Sequence, residues 1–351
     1  MNKTFNIGKR TVGEGCKPFI IAELSGNHQQ SYEMAIKMIE SAARAGADAV
    51  KLQTYTADTM TLDIAKGEFV INEKDSLWHG SSLHSLYEKA ATPWEWHKRL
   101  FDRASELGLI AFSSPFDESS VDFLETLNVP CYKIASFENT DLPLIKRVAK
   151  TGKPIIMSTG MATLSDIESA VDVAVTAGCR DLILLKCTST YPAPPNDSNL
   201  ITIPHMASTF DCPVGLSDHS NGIGVALASV GLGATVIEKH FVLDRSMGGV
   251  DAEFSLEPDE LKQLVNEVHR ASEAVGRICY GKTGSDDKAR PYRRSLYISQ
   301  DVNKGDILKE EHVRIVRPGA GLSPSHYHNV IGMTVSSDVK KGTPISWSLF
   351  K

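Results

Sequence analysis

The stretch from Val214 to Phe241 opens Val-Gly-Leu-Ser-Asp-His-Ser and closes Val-Ile-Glu-Lys-His-Phe. Between them runs Asn-Gly-Ile-Gly-Val-Ala-Leu-Ala-Ser-Val-Gly-Leu-Gly-Ala-Thr. Its two halves share a form, a short apolar run followed at once by charged and imidazole side chains. Residues 213–216 read as a buried strand followed by Ser217-Asp218-His219-Ser220, and residues 234–237 as the next strand followed by Glu238-Lys239-His240. The small-residue run at 222–232 is too long for a strand and reads as a helix, with Ser220 or Asn221 as its N-cap. Strand, polar turn, helix, strand is the unit of a parallel sheet, whose C-terminal strand ends share one face. His219 and His240 then lie side by side on that face. One such histidine alone reads as a hydrogen-bonded residue at a strand end. Two at equivalent positions of neighbouring strands could hold a divalent cation with an open coordination sphere.

Working outward, the same unit recurs. Strands are read at residues 19–24, 47–53, 109–112, 131–136, 154–157 and 182–186, and helices at 31–45, 93–107, 117–127, 142–150, 164–177, 199–209 and 258–275. Eight strands alternating with helices predict a closed (β/α)8 TIM barrel. A doubly wound open sheet is the competing arrangement, but no Gly-x-Gly-x-x-Gly follows the first strand. Residues 1–16 read as a lead-in or a short cover over a barrel end. Residues 54–92 form an irregular excursion bearing Trp78, His79, His84 and Tyr87, and a loop this long inside a compact domain is usually functional. The expected organisation is a catalytic barrel over 1–279, a polar linker over 280–292 and a small, mostly β appendage over 293–351.

A net charge of −6 and an ordinary 23% of charged residues argue against a nucleic-acid partner, which favours a basic face. Cys16, Cys131, Cys179, Cys187, Cys212 and Cys279 show no paired spacing and read as reduced thiols of a cytoplasmic protein. Residues 1–4 lack a secretory apolar core, and the longest apolar run, 225–237, is too short to span a bilayer, so neither export nor a membrane anchor is expected.

A lysine late in a buried strand is costly unless its ammonium finds a partner. Lys51, Lys133 and Lys186 recur in that place on three strands, flanked by Ser136, Ser158, Thr188 and Ser217. Ammonium and hydroxyl donors converging on one face suit a phosphate or carboxylate. Together with a histidine pair they suggest an anionic substrate meeting a metal-polarised carbonyl. A Schiff-base aldolase would account for one lysine but not for the histidines, and a non-catalytic carbohydrate binder would need neither.

These residues carry a resemblance. Ile21-Ala22-Glu23, Asn27-His28, Lys51-Leu52-Gln53, Ser113-Ser114-Pro115-Phe116, Lys133-Ile134-Ala135-Ser136, Ser158-Thr159-Gly160-Met161, Tyr191-Pro192, Gly215-Leu216-Ser217-Asp218-His219 and Glu238-Lys239-His240-Phe241 resemble the sialic acid synthases. The appendage, with Arg317-Pro318-Gly319-Ala320-Gly321, resembles that family's antifreeze-like (SAF, β-clip) domain. Lys133 to Glu138, Lys186 to Pro192 and the Leu83 to His97 segment are most similar to the branch that makes pseudaminic acid.

The resemblance implies condensation of phosphoenolpyruvate with the open-chain aldehyde of a 2,4-diacetamido-2,4,6-trideoxy hexose of the altrose type, with phosphate lost by C–O cleavage. N-acetylneuraminate or legionaminate synthesis is the alternative, and another metal-dependent barrel aldolase a more distant one. It implies that His219 and His240 bind a divalent ion, Mn²⁺ before Mg²⁺ or Co²⁺, and that Lys51, Lys133, Ser136, Ser158 and Ser217 hold phosphoenolpyruvate. It puts Glu23 and Gln53 near the reacting centre, with Glu23 as the acid/base. Asn27, Tyr191, Glu238 and Asp251 orient the acylamino sugar or the metal's surroundings. Arg317 reaches the sugar from the other subunit of a domain-swapped homodimer.

Overall fold

A hairpin precedes the barrel and closes its floor. In the computed structural model, which describes residues 1–72, 78–281 and 283–350, β1 (Thr4–Ile7) and β2 (Arg10–Gly13) pair antiparallel around Gly8, whose φ of 55° favours glycine. The hairpin's Phe5, Ile7 and Val12 join one apolar cluster with Phe19, Ile21, Ala49, Ile110, Phe112, Ile156, Ile183, Leu185 and Val236. The expected cover over a barrel end is this plug.

Eight parallel strands follow: β3 (Phe19–Glu23), β4 (Ala49–Thr54), β5 (Ile110–Pro115), β6 (Tyr132–Ile134), β7 (Ile155–Ser158), β8 (Leu182–Cys187), β9 (Val214–Asp218) and β10 (Val236–His240). They close in the order β10-β3-β4-β5-β6-β7-β8-β9, the predicted (β/α)8 barrel. Side chains alternate between two faces. Ile20, Ala22, Val50, Leu52, Leu182, Leu184, Leu216 and Ile237 face the surrounding helices in a second cluster, while the intervening residues fill the interior.

The helices begin and end where capping chemistry allows. Ser31 accepts from the backbone N–H of Met34 to start Tyr32–Ala45, and Gly46, at φ 90°, ends it. Thr163 and Asp166 form a capping box on Leu164–Thr176. The excursion contains the helices Ala57–Met60 and Leu83–Ala90; its residues 73–77 lie outside the described residues.

Three expectations need correction. Strands β9 and β10 run past their apolar residues, because the parallel ladder continues through Glu238↔Ser217 and Lys239↔Asp218. The polar residues therefore lie within the strands and take alternate faces. The following helix starts at Gly224 with Ile223 as a cap lacking any side-chain bond. Neither Ser220 nor Asn221 caps it, since the Ser220 hydroxyl donates to Asp218 instead. Strand β6 stops at Ile134, and Ser136–Glu138 form a 3-10 turn.

The chain divides into two units, Met1–Gly276 and Arg277–Lys351. The second has its own core of Leu296, Ile298, Val302, Leu308, Val313, Val330, Val335, Val339 and Ile345. Its strands β11 (Ser295–Ile298) and β12 (Val313–Val316) pair antiparallel. Arg317 follows β12. Gly321 is glycine because a Cβ there would stand 2.3 Å from the Leu296 carbonyl oxygen. Among the described residues no helix is long and apolar enough to cross a membrane.

Candidate active site

At the C-terminal end of the barrel the interior changes from apolar to charged. The same alternation that points Phe19 and Ile21 inward points Glu23 inward, and likewise Lys51 and Gln53 after Ala49, Ser158 after Ile156, and Glu238 and His240 after Val236. Glu23, Lys51 and Glu238 form a buried quartet with Lys133 of β6. Lys51 pairs directly with Glu23, and its Nζ lies 3.8 Å from Glu238 Oε2. Lys133 Nζ lies 3.8 Å from Glu238 Oε1 and donates to Ser158 Oγ at 2.6 Å. Ser217 Oγ donates to Glu238 Oε1 at 3.0 Å, and Lys51 donates to Ser114 Oγ at 3.3 Å. Gln53 Nε2 and the Ser25 backbone N–H donate to Glu23 Oε1 at 3.2 and 3.0 Å.

Burial and mutual charge set the protonation of the quartet. Burial pushes the Glu23 carboxyl up to about 7, against the pull of Lys51. Burial would raise Glu238 too, but Lys133 and Lys51 outweigh it and hold Glu238 below its usual range. Burial alone would lower Lys51, and the flanking carboxylates raise it instead. Lys133 stays lowered, because burial outweighs Glu238. Glu23 is thus the member whose carboxyl is raised toward neutral pH, while Glu238 is the one held ionised by the two lysines.

The histidine pair sits above. His219 and His240 have ring centroids 5.3 Å apart, with planes at 60°. His219 Nδ1 lies 2.9 Å from the Thr188 carbonyl oxygen. In the neutral ring, donation to that carbonyl puts the proton on Nδ1 and leaves Nε2 as the lone pair, the usual orientation of a metal-ligating histidine; burial would lower the His219 pKa, but Cys187 beside it raises it. His240 Nδ1 is buried with no hydrogen-bond partner, and Asp251 Oδ2 lies 3.8 Å away. Tyr191 and Phe254 pack on both rings, with Tyr191 4.5 Å from His219 and Phe254 5.0 Å from His240. Burial, then His219, depresses the His240 pKa well below normal, which keeps the ring neutral with one nitrogen lone pair available. No group of three or more His, Cys, Asp or Glu among the described residues could form a ligand set. The donors that would hold an ion are the Nε2 of His219 and the unpartnered buried ring nitrogen of His240, which would leave the ion's other positions for water and substrate.

Residues 38–280 match the NeuB family. The chain belongs to the NeuB family. Residues 293–351 match the SAF domain. The chain is 45% identical over 338 residues to the pseudaminic acid synthase of Campylobacter jejuni strain 81-176, covering 95% of this chain and 97% of that one. It is 36% identical over 355 residues to the N,N'-diacetyllegionaminic acid synthase of Legionella pneumophila, with 99% and 98% covered. The solved N-acetylneuraminic acid synthetase of Leptospira borgpetersenii superposes with a TM-score of 0.73 at 32% identity, covering 82% of this chain and 94% of that one.

Within this NeuB barrel, the structure gathers most of the residues singled out from sequence. Glu23, Lys51, Gln53, Lys133, Ser158, Ser217, Glu238, His219, His240 and Tyr191 converge at the mouth as described. Ser136 accepts from the Gly160 backbone N–H at 3.1 Å. Asn27 is committed to the scaffold: its Nδ2 donates to the Phe241 carbonyl and Ser255 Oγ, and its Oδ1 accepts from the Asp251 backbone N–H. It holds the loop after β10, and Asp251 receives the Ser25 hydroxyl. Arg317 lies in the other unit.

Lys186 does not converge with the other two lysines. It shares a strand face with Leu182 and Leu184, which pack against helices, and its Nζ donates to the Cys187 carbonyl at 2.9 Å. The Thr188 hydroxyl is likewise taken by the Asp197 carbonyl. Sequence reading missed Glu138, whose Oε2 is buried without a partner and whose carboxyl burial pushes up to about 7 near Lys133. It also missed Cys187, 3.8 Å from His219 Nδ1, and Tyr55, buried at the mouth. A cleft of about 880 Å³ opens beside the rim, lined by Gly26, Gln29, Trp78, Lys89, Arg245 and Gly249 among others. None of the quartet lines it.

Proposed function

We propose that the chain condenses phosphoenolpyruvate with the aldehyde of a 2,4-diacetamido-2,4,6-trideoxy hexose of the altrose type, giving pseudaminic acid and phosphate. The observation that carries the reading is the buried quartet beneath a histidine pair, with two ammonium groups facing two carboxylates of which one exchanges its proton near pH 7. The higher identity to the pseudaminic acid synthase than to the legionaminic acid synthase, 45% against 36%, supports this sugar.

In this reading Lys51 and Lys133, with Ser136, Ser158 and Ser217, neutralise and orient the phosphate and carboxylate of phosphoenolpyruvate. Gln53, Asp251 and Tyr191 line the path by which the open-chain sugar brings its aldehyde to C3 of the enol phosphate, and Asn27 keeps Asp251 in place. A divalent ion held by His219 and His240, Mn²⁺ first and Mg²⁺ or Co²⁺ as substitutes, supplies electrophilic polarisation of that aldehyde when bound. As C3 forms its bond to the aldehyde carbon, positive charge develops at C2. The aldehyde oxygen takes up a proton as it becomes a hydroxyl, and Glu23 takes a proton from the water that adds at C2; the tetrahedral adduct then breaks its C2–O bond to phosphate while the C2 hydroxyl loses its remaining proton, leaving the C2 ketone. Glu238, held ionised by both lysines, stabilises the developing positive charge.

We further propose that the working unit is a homodimer in the cytoplasm, with Arg317 of the SAF domain completing the sugar site of the partner subunit. Incubation with phosphoenolpyruvate, Mn²⁺ and a panel of acetamido sugars, scored by phosphate release and product mass, tests the reading. Release with the altrose-type sugar and the mass of pseudaminic acid is expected. Turnover of N-acetylmannosamine or the legionaminate precursor alone would replace it with one of the sister activities.

A further inference from the structure

On the helix-facing side of the two histidine strands, a second ion pair is buried. Asp218 precedes His219 and Lys239 precedes His240, so alternation turns both toward the helices while the imidazoles face the barrel mouth. Lys239 and Asp218 are register partners across β9 and β10, and theirs is the last pair of that ladder. Their side chains are 0% and 2% exposed, and Lys239 Nζ donates to Asp218 Oδ2 at 2.9 Å. Lys239 also donates to the Ser220 carbonyl at 2.5 Å. Asp218 Oδ1 accepts from the Ser220 backbone N–H at 2.9 Å and from its hydroxyl at 2.6 Å.

His219 lies beyond the end of β9, where no ladder bond to β10 remains to fix its distance from His240. The bonds through Asp218, Lys239 and Ser220 bridge that gap and hold the turn on both sides of His219. A buried ion pair is a poor source of net stability, since apolar residues of the same volume do as well, but it constrains geometry. We infer that the Asp218–Lys239–Ser220 clamp is a positioning device that sets the spacing of the His219 and His240 rings, and with it divalent-ion affinity. This rests on the reading of those rings as an ion site.

The test uses the full chain and Mn²⁺ alone, with free Mn²⁺ read by its electron paramagnetic resonance signal. Asp218→Asn combined with Lys239→Met removes both charges together and keeps an acceptor for Ser220, so no buried charge is left unpaired. The expected result is a melting temperature close to wild type and a Mn²⁺ dissociation constant raised about tenfold or more, the range seen when groups behind a ligand are lost. A folded double variant with wild-type affinity overturns the inference. Should the double variant fail to fold, Ser220→Ala removes one clamp bond only; a several-fold weaker Mn²⁺ affinity without a change in melting supports the clamp, and unchanged affinity overturns it. His240→Ala separates the two layers of the argument. If it binds Mn²⁺ like wild type, the histidine site itself fails and the clamp with it. If it loses Mn²⁺ while the double variant keeps it, only the clamp fails.

Discussion

Replacing Lys133 by Met removes one of the two ammonium groups of the quartet and keeps an unbranched stem. In the folded chain this ammonium touches Ser158 Oγ at 2.6 Å and the Ile134 carbonyl at 2.9 Å, with Glu238 3.8 Å away. Breaking a buried pair usually costs about 3–5 kcal/mol, because one charge is stranded. Here Glu238 keeps Lys51 and Ser217, and Glu23, already pushed up to about 7, takes a proton to restore the balance. The melting temperature should therefore move by only a few degrees. The bound phosphoenolpyruvate loses one preorganised cationic donor, worth about 2.7–4 kcal/mol, or about 10²–10³-fold in kcat/KM. The assay is phosphate release at saturating sugar and Mn²⁺ with phosphoenolpyruvate varied. A kcat/KM within about threefold of wild type on a folded chain would refute the role of Lys133. Lys51→Met should behave alike: Glu23, losing its direct partner, takes a proton in the same way, so rate is lost while most of the stability is kept.

Gly215→Ala would place a Cβ 2.4 Å from the Val236 carbonyl oxygen and 2.6 Å from Leu185 Cδ2 inside a closed ring of strands; a loss of about 1–3 kcal/mol or more is expected, and an unchanged urea midpoint would contradict it. Burial holds His28 and His97 at about 4, below the imidazole value of the unfolded chain. Their contribution is therefore full above pH 6.5 and is lost as pH falls toward 4, at about 1.4 kcal/mol per pH unit for each. Unfolding of wild type and of a His28→Gln, His97→Gln variant at pH 6.5 and 4.5 should show wild type losing stability relative to the variant, and a difference that does not change with pH would refute the assignment. Mixing His240→Ala chains with Arg317→Ala chains should rebuild one intact site in each mixed dimer if the SAF domain serves the partner; inactive mixed dimers would count against the exchange.

The register of chemistry along the strands was only half visible in one dimension. Lys51 and Lys186 look alike in sequence, each late in an apolar run. A strand buried on both faces shows no alternation to mark which side is the interior. Residues 182–185 are all Leu or Ile, so the inward parity of Ile183 and Leu185 emerges only when the barrel closes. The same ambiguity concealed the opposite assignments of Lys239 and His240. Glu138 went unnoticed because it sits on a 3-10 turn rather than a strand end, and its importance is its lack of a partner, which depends on everything around it.

By itself the sequence determined the alternation of strands and helices, the hydroxyl, lysine and histidine content of the strand ends, and the family motifs. These are local properties, set by hydrophobic period, capping residues and turn chemistry over a few positions. Only the tertiary structure decided which lysines meet, which carboxyls are pushed toward neutrality and how the two imidazoles are held. Those outcomes depend on burial and on charges brought together from strands hundreds of residues apart, where a shift of a single residue in register exchanges the two faces.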